Sequence, residues 1–234
     1  SKTSGFIAGL PSTALLSFFF IGYTQSAEAA SSATSVFPIS MGITGTFLLV
    51  FAWLAKRGFY FAILTAILAW FVLSFLVKWL HPMHFGLNLV IYSISMVFVF
   101  FLFENYLKIR SISDSKSSIQ GKHIMARSLF GGIIIMLTVL IAKKGGPVMG
   151  GIFAGFPAMF ITTLVISFKI QGIEFSRAMT KTLLVTGMIT LAIYAVAIKY
   201  LYLSIGLYSG TLLAIFISAL SGFLTFRYIL PKLS

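Results

Sequence analysis

The stretch GFIAGLPSTALLSFFFIGYTQSAEAASSAT, residues 5–34, aligns without a gap to GIFAGFPAMFITTLVISFKIQGIEFSRAMT, residues 151–180, when the sequence is shifted by 146 positions. The shared residues include a G-x-P and a Q-x-x-E motif, and not only the Leu and Val that any two membrane helices have in common. The identical positions are Gly5 and Gly151, Ala8 and Ala154, Gly9 and Gly155, Pro11 and Pro157, Gln25 and Gln171, Glu28 and Glu174, and Thr34 and Thr180. The sequence therefore predicts an internal duplication, and duplication in inverted orientation is typical of many transporters.

The composition indicates a helical membrane protein. Hydrophobic residues make up 59% of the chain and charged residues only 9%, whereas soluble domains have about 25% charged residues. The mean hydropathy is +1.05, and apolar runs of about 20 residues, which a helix needs to cross a bilayer core, recur along nearly the whole chain. A membrane β-barrel would show short alternating segments instead, so we expect an all-α, polytopic fold.

We predict about eight transmembrane helices, arranged as two inverted repeats joined by one extra helix. The predicted spans lie at 6–23, 37–55, 59–79, 85–106, 128–142, 150–168, 180–198 and 207–226. They divide the chain into a first repeat at 1–84, a linking helix with a basic connector at 85–127, and a second repeat at 128–234.

Lys and Arg are distributed unevenly over the two predicted sides. Thirteen lie on the side of residues 1 and 234, and four lie on the other side: Lys78, Lys143, Lys144 and Lys199. The positive-inside rule places the first group in the cytoplasm. The chain is therefore predicted to be a multi-pass protein of a prokaryotic cytoplasmic (inner) membrane with a cytoplasmic C-terminus. Because the linking helix adds one crossing, the two repeats take opposite orientations.

The repeat unit resembles the GlpM-like family of small four-helix bacterial membrane proteins. The resemblance rests on Ser1-Lys2-Thr3 with Ile7-Ala8-Gly9-Leu10, and on Gly172-Ile173-Glu174 with Arg177-Ala178. The first half departs from the pattern, because Ser26-Ala27-Glu28 replaces the G-I-E and Ser31 replaces the arginine. The resemblance implies a fold and a topology but no activity. The helix 128–142 precedes the second G-x-P span and has no counterpart before Ser1, so we also expect a preceding helix in the natural protein.

The paired G-x-P motifs form the first candidate site. Proline removes a helical hydrogen bond and frees a carbonyl, which a membrane tolerates only where protein, water or a hydroxyl satisfies it. Helices broken at equivalent places in two halves indicate a transport site; the alternative is a kink with close glycine packing. Threonine hydroxyls within spans otherwise bond to their own helix. The candidate substrate-binding residues are Gly9, Pro11, Ser12, Thr13, Gly155, Pro157, Thr162 and Thr163.

The repeated Q-x-x-E motifs form the second candidate site. Two of the four acidic residues of the chain, Glu28 and Glu174, are related by the repeat. A carboxylate inside the membrane is a candidate for ion or proton coupling. Each of the two nevertheless stands at a predicted helix start, where it favours the helix dipole and caps free N–H groups. The coupling or helix-capping candidates are Gln25, Glu28, Gln171, Glu174 and Arg177, and Arg177 is placed to pair with Glu174.

Other classes of chemistry lack sequence support. The chain has no cysteine, and its histidines do not form a metal-binding pattern. We therefore expect no metal, no cofactor and no enzymatic activity. The net charge of +13 follows from loop residues and does not indicate nucleic-acid binding. The basic connector at 107–127 is suited to anionic lipid head groups.

These features favour a secondary transporter or permease that moves a small neutral, anionic or lipid-like solute by alternating access at the repeat interface. One alternative is an accessory or structural subunit that acts as a homodimer or within a larger membrane complex. A second alternative is a channel lined by Thr13, Thr163 and freed carbonyls.

Overall fold

The computed structural model describes residues 12–80, 84–109 and 121–229, and within these ranges the chain forms helices and no strands. The all-α prediction is therefore confirmed for the part of the chain that is described. The helices are α1 (Ser12–Thr24), α2 (Ala27–Ala33), α3 (Phe37–Leu54), α4 (Phe59–Leu80), α5 (Phe85–Phe101), α6 (Gly121–Ala154), α7 (Ala158–Thr182), α8 (Met188–Ser204) and α9 (Leu207–Leu224). Short 3-10 or π-helical turns extend some of them, at Ala55–Arg57, Leu102–Leu107, Leu183–Gly187 and Thr225–Ile229.

Five helical segments of the described chain are long and apolar enough to cross a membrane: Phe37–Arg57, Phe59–Leu80, Phe85–Leu107, Met125–Ser204 and Leu207–Leu224. The fourth contains 80 residues and several breaks, so the count of eight spans stays a prediction. Helix α6 begins at Gly121, within the predicted connector at 107–127.

Two central helices carry the core. In the most apolar 18-residue stretch of α3 and its following turn, 67% is buried inside the protein. The corresponding share is 28% for α4 and for α9, and 17% for α5 with its following turn. Tyr194, Ala195 and Ile198 of α8 have no exposed surface. The outer helices expose large apolar side chains such as Phe75 and Phe216, as is expected of surfaces that face lipid.

The two central helices, α3 and α8, run antiparallel. Next to the start of α3, the Ser35 hydroxyl accepts a hydrogen bond of 2.9 Å from Lys199 Nζ, near the end of α8. Next to the end of α3, the Ala52 carbonyl accepts a bond of 2.9 Å from Arg177 Nε, which precedes α8. The molecule therefore has two ends, which we name by their charge: the basic end, with Lys56 and Arg177, and the opposite end, with Lys199.

Helix breaks occur at glycine and proline. Gly146, with φ 75° and ψ −173°, divides α6 just before Pro147. Gly172, with φ 80° and ψ −172°, divides α7. Glycine adopts such positive φ values without the clash that a Cβ would cause. A third break lies at Gly155–Pro157, between α6 and α7, so the predicted span 150–168 is two helical pieces and not one.

Candidate functional site

The break between α6 and α7 centres on Pro157, which has φ −77° and ψ 41° and therefore leaves the helical conformation. Local turns replace the helical ladder: the N–H of Gly155 bonds to the Ile152 carbonyl at 3.1 Å, and the N–H of Phe156 bonds to the Phe153 carbonyl at 3.0 Å. Helical bonding resumes beyond the break, where Ile161 donates to the Pro157 carbonyl at 2.8 Å. The second G-x-P motif therefore lies at a helix break, while Gly9 and Pro11 of the first motif lie outside the described residues.

Hydroxyl groups of α3 satisfy carbonyls at the break. Ser40 Oγ donates to the Ile152 carbonyl at 2.7 Å, and Thr44 Oγ1 donates to the Gly155 carbonyl at 2.8 Å. Trp70 Nε1 of α4 donates in turn to Thr44 Oγ1 at 3.1 Å. A broken helix thus persists among apolar helices because neighbouring side chains supply the hydrogen bonds that water would supply outside a membrane.

Glycine allows the close approach of α6 to the first repeat. A Cβ built on Gly151 would collide with the backbone carbonyl of Ala33, and one built on Gly155 would collide with Ser40 Oγ. Both the broken-helix and the close-packing interpretation of the motif therefore apply, because the same glycines permit the contact through which Ser40 reaches the break.

A small cavity adjoins the break. Its volume is about 20 Å³, and a cavity of roughly 10–15 Å³ or more holds a water molecule. It lies between α1, α3, the break, the start of α7, and α8, so both predicted repeats contribute to it. The lining residues are Thr13, Ala14, Met41, Thr44, Ala154, Gly155, Phe156, Pro157, Met159, Phe160 and Leu191.

The candidate substrate-binding residues separate into three groups. Thr13, Gly155 and Pro157 line the cavity. Thr162 and Thr163 do not, since both hydroxyls bond to the Met159 carbonyl of their own helix, at 3.0 and 2.7 Å. Gly9, Pro11 and the side chain of Ser12 lie outside the described residues.

Glu28 lies at a capped helix start, the position that the helix-capping interpretation requires. It occupies the first turn of α2, whose N-cap Ser26 accepts a hydrogen bond from the N–H of Ala29 at 3.1 Å. Its own backbone N–H and the Ser26 hydroxyl hold the pKa of the Glu28 carboxyl below its ordinary value. Gln25, just before this cap, is exposed, and Gln171 is half-buried just before the break at Gly172.

Arg177 pairs with Glu174, as predicted, but this contact is long. The distance between Arg177 Nη1 and Glu174 Oε2 is 3.9 Å, and the Glu174 side chain is 67% exposed. The shorter contacts of Arg177 are with backbone carbonyls: Nε donates to Ala52 at 2.9 Å and Nη2 donates to Leu107 at 3.3 Å. Arg177 therefore joins α7 to the end of α3 and to the turn after α5.

Two further charged contacts were missed by the sequence analysis. Lys181 Nζ lies 2.6 Å from Glu104 Oε1, with the lysine side chain 4% exposed. Lys199 Nζ donates to the Ser31 carbonyl at 3.2 Å and to Ser35 Oγ at 2.9 Å. No signal in the sequence indicated either contact, although Lys181 and Ser35 are 146 positions apart and therefore occupy equivalent places in the repeat.

Comparison with known proteins gives no information on this site. No protein-family model, curated protein or solved structure matches the chain. Within the described ranges, no group of three or more His, Cys, Asp or Glu side chains is arranged to hold a metal ion.

Proposed function

We propose that the chain is a secondary transporter built from two inverted repeats, with its solute site at the cavity beside Gly155 and Pro157. The observation that carries the proposal is the antiparallel arrangement of α3 and α8, since these helices occupy equivalent places in the two copies of the sequence repeat. Inverted repeats that meet at broken helices are the architecture of many alternating-access transporters. The GlpM-like resemblance stays a prediction and adds no activity.

Exchanged hydrogen bonds support a twofold relation between the halves. Ser31 and Arg177 are 146 positions apart. Ser31 Oγ donates to the Lys199 carbonyl at 2.9 Å, and Arg177 Nε donates to the Ala52 carbonyl at 2.9 Å. The two acceptors are 147 positions apart, one residue from the repeat distance. A twofold axis produces such pairs, because each contact between the halves recurs with the partners exchanged.

The helix breaks support the same relation. Ser26, extended with φ −168° and ψ 163°, separates α1 from α2. Gly172, 146 positions later, separates residues 158–171 of α7 from residues 173–182. Helix α1 runs from the cavity towards the opposite end, while residues 158–171 run towards the basic end, where Phe168 stacks on Phe59 at 4.1 Å.

Basic side chains join the two predicted repeats at both ends of the interface between α3 and α8, on either side of the cavity. At the opposite end, Lys199 joins Ser31 and Ser35; we call this the opposite-end lock. At the basic end, Arg177 joins the Ala52 and Leu107 carbonyls; we call this the basic-end lock. In the proposed alternating-access cycle, the two locks open in turn.

The orientation follows from charge. We propose that the basic end is cytoplasmic, which makes the C-terminus cytoplasmic in a prokaryotic inner membrane, because cytoplasmic loops carry an excess of Lys and Arg. The opposite end, where Lys199 lies, then faces outward.

Cysteine accessibility tests the proposed cycle without knowledge of the solute. The chain contains no cysteine, so Thr13→Cys is the single thiol in the cavity. We expect a membrane-impermeant thiol reagent to modify it in both right-side-out and inside-out vesicles. A disulfide between Ser31→Cys and Lys199→Cys should close the opposite end and leave modification from the basic end intact.

Three other outcomes count against the proposal. A thiol that neither side reaches indicates a dry kink and favours an accessory subunit. A thiol that one side alone reaches indicates a fixed pocket. Stepwise single-channel currents in a planar bilayer indicate a channel.

A further inference from the structure

The start of α7 presents a positive end to the cavity. Ala158 follows Pro157, and Phe156, Pro157, Met159 and Phe160 all line the cavity. Pro157, the N-cap residue, provides no side-chain acceptor. The N–H groups of Ala158 and Ile161 donate to the Phe156 and Pro157 carbonyls, each at 2.8 Å, which leaves those of Met159 and Phe160 without a partner among the described residues. These N–H groups carry the positive end of the helix dipole and favour an anion.

Thr13 provides a second donor from the other repeat. Its side chain is 8% exposed and lines the cavity, and its hydroxyl has no hydrogen-bond partner among the described residues. Thr13 and Met159 are 146 positions apart, so the two repeats place equivalent residues on facing walls. A hydroxyl on a nine-tenths buried residue that lines a cavity, with no partner among the described residues, is available to a bound solute.

Arg127 places a full positive charge beside this wall. It lies in α6, and its Nε is 3.1 Å from Met159 Sδ. A thioether is a weak acceptor, and it is the one hydrogen-bond partner of Arg127 within the described part of the chain. Gly131, one turn further, packs against Met159 and Thr13, so this face of α6 borders the cavity. An arginine at such a position marks an ion or substrate pathway in membrane proteins.

No acidic side chain of the described chain offsets this charge near the cavity. Glu28 lies by the start of α2 towards the opposite end, and Glu104 and Glu174 lie at the basic end, where they pair with Lys181 and Arg177. The cavity walls therefore combine a helix N-terminus and a hydroxyl, and the Arg127 guanidinium lies behind Met159 without an acidic partner among the described residues.

We propose that the solute is a small anion, such as a halide or a short carboxylate, held by the start of α7 and by Thr13 and drawn from the basic end by Arg127. The Met159 side chain lies between the guanidinium and the cavity and must move aside for the anion to enter. This inference rests on the proposed transport function and names its substrate class.

Flux into proteoliposomes tests the substrate class. Purified full-length protein is reconstituted, and uptake of labelled formate, chloride and glycerol is measured. We expect formate or chloride uptake well above that of protein-free liposomes, and no protein-dependent glycerol uptake. Arg127→Gln should lower anion uptake about tenfold or more, the scale of a lost hydrogen bond to a charged group, and Arg127→Lys should retain part of it. The exposed Lys169→Gln on α7 is the matched control and should leave uptake unchanged.

A second variant covers the case in which Arg127→Gln does not fold. Thr13→Val keeps the shape of the side chain and removes the hydroxyl, so anion uptake should also fall about tenfold. The anion assignment is overturned if both anions enter at the rate of protein-free liposomes, or if neither Arg127→Gln nor Thr13→Val changes uptake. If Thr13→Cys is still reached from both sides, the transport proposal survives this failure, and the two failures are distinguishable.

Discussion

At the residue scale, hydroxyl groups replace water as partners of the broken helix. Ser40 and Thr44 donate to the Ile152 and Gly155 carbonyls across more than 100 positions of sequence. The sequence predicts that freed carbonyls near Pro157 require partners, because the membrane offers none. It does not predict which hydroxyl groups are these partners, because the sequence does not distinguish a serine that bonds to its own helix from one that bonds to a neighbouring helix.

Substitution of Gly151 by alanine tests the close packing at this site. The added Cβ meets the Ala33 carbonyl, which is backbone and cannot rotate away. Overpacking of this kind costs about 1–3 kcal/mol, so we expect the midpoint of thermal unfolding of the purified protein to fall clearly.

The control is Gly132→Ala in the same helix, where a Cβ has nothing within 4 Å. There the midpoint should stay the same or rise slightly, because alanine favours a helix over glycine by about 1 kcal/mol. Equal effects of the two substitutions would contradict the packing described for Gly151.

The capping role of Glu28 predicts a pH dependence. The folded-state pKa lies below the ordinary value of 4.5 because the backbone N–H and Ser26 bond to the carboxylate. The contribution to stability is therefore present above that ordinary value and is lost as the pH falls through the folded-state pKa. Glu28→Gln should reduce the drop in unfolding midpoint between neutral pH and pH about 3.

The same variant separates capping from proton coupling. A capping residue leaves solute uptake and its response to a pH gradient intact in Glu28→Gln. Loss of a pH-driven component of uptake, with unfolding unchanged, would contradict the capping role and favour a relay.

At the element scale, each end of the interface between α3 and α8 is held by a basic side chain on backbone or hydroxyl oxygens. The two basic side chains do not occupy equivalent positions of the repeat. Arg177, at the basic end, is equivalent to Ser31, whereas Lys199, at the opposite end, lies in α8 itself. The sequence repeat predicts that α3 and α8 lie at equivalent places in the two halves. It does not predict which basic side chain donates hydrogen bonds at each end, because a lysine such as Lys199 is also typical of a loop beside a membrane span.

Removal of either lock should favour the state in which the cavity is open to the end that this lock closes. Lys199→Ala releases Ser31 and Ser35, so the Thr13→Cys thiol should react faster from the opposite end and more slowly from the basic end. Arg177→Ala should produce the reverse. Hydrogen bonds from a charged group contribute about 1.5–3 kcal/mol, which corresponds to a shift in relative rates of about tenfold. Lys169→Ala, on the exposed surface, serves as the control, and an equal change from both ends in either lock variant would contradict the assignment.

At the scale of the whole molecule, length and hydropathy were sufficient to predict an all-helical chain with several helices long and apolar enough to cross a membrane, because a bilayer core fixes the length and apolar character of a crossing helix. The spans at 37–55, 59–79, 85–106 and 207–226 match helices α3, α4, α5 and α9 within a few residues. In the region 121–204, the predicted gaps at 143–149 and 169–179 contain the breaks at Gly146 and Gly172, whereas the break at Pro157 falls within the predicted span 150–168.

The account depends first on the inversion of the two repeats, and one topology measurement tests it most directly. Tyr23 and Lys169 are exposed residues 146 positions apart, at the ends of equivalent helices. Single-cysteine variants at these positions are labelled with a membrane-impermeant maleimide in intact cells and in inside-out vesicles. We expect Tyr23→Cys to react only in intact cells and Lys169→Cys only in inside-out vesicles. Reaction of both from the same side would mean that the repeats are parallel, and the alternating-access account would be wrong.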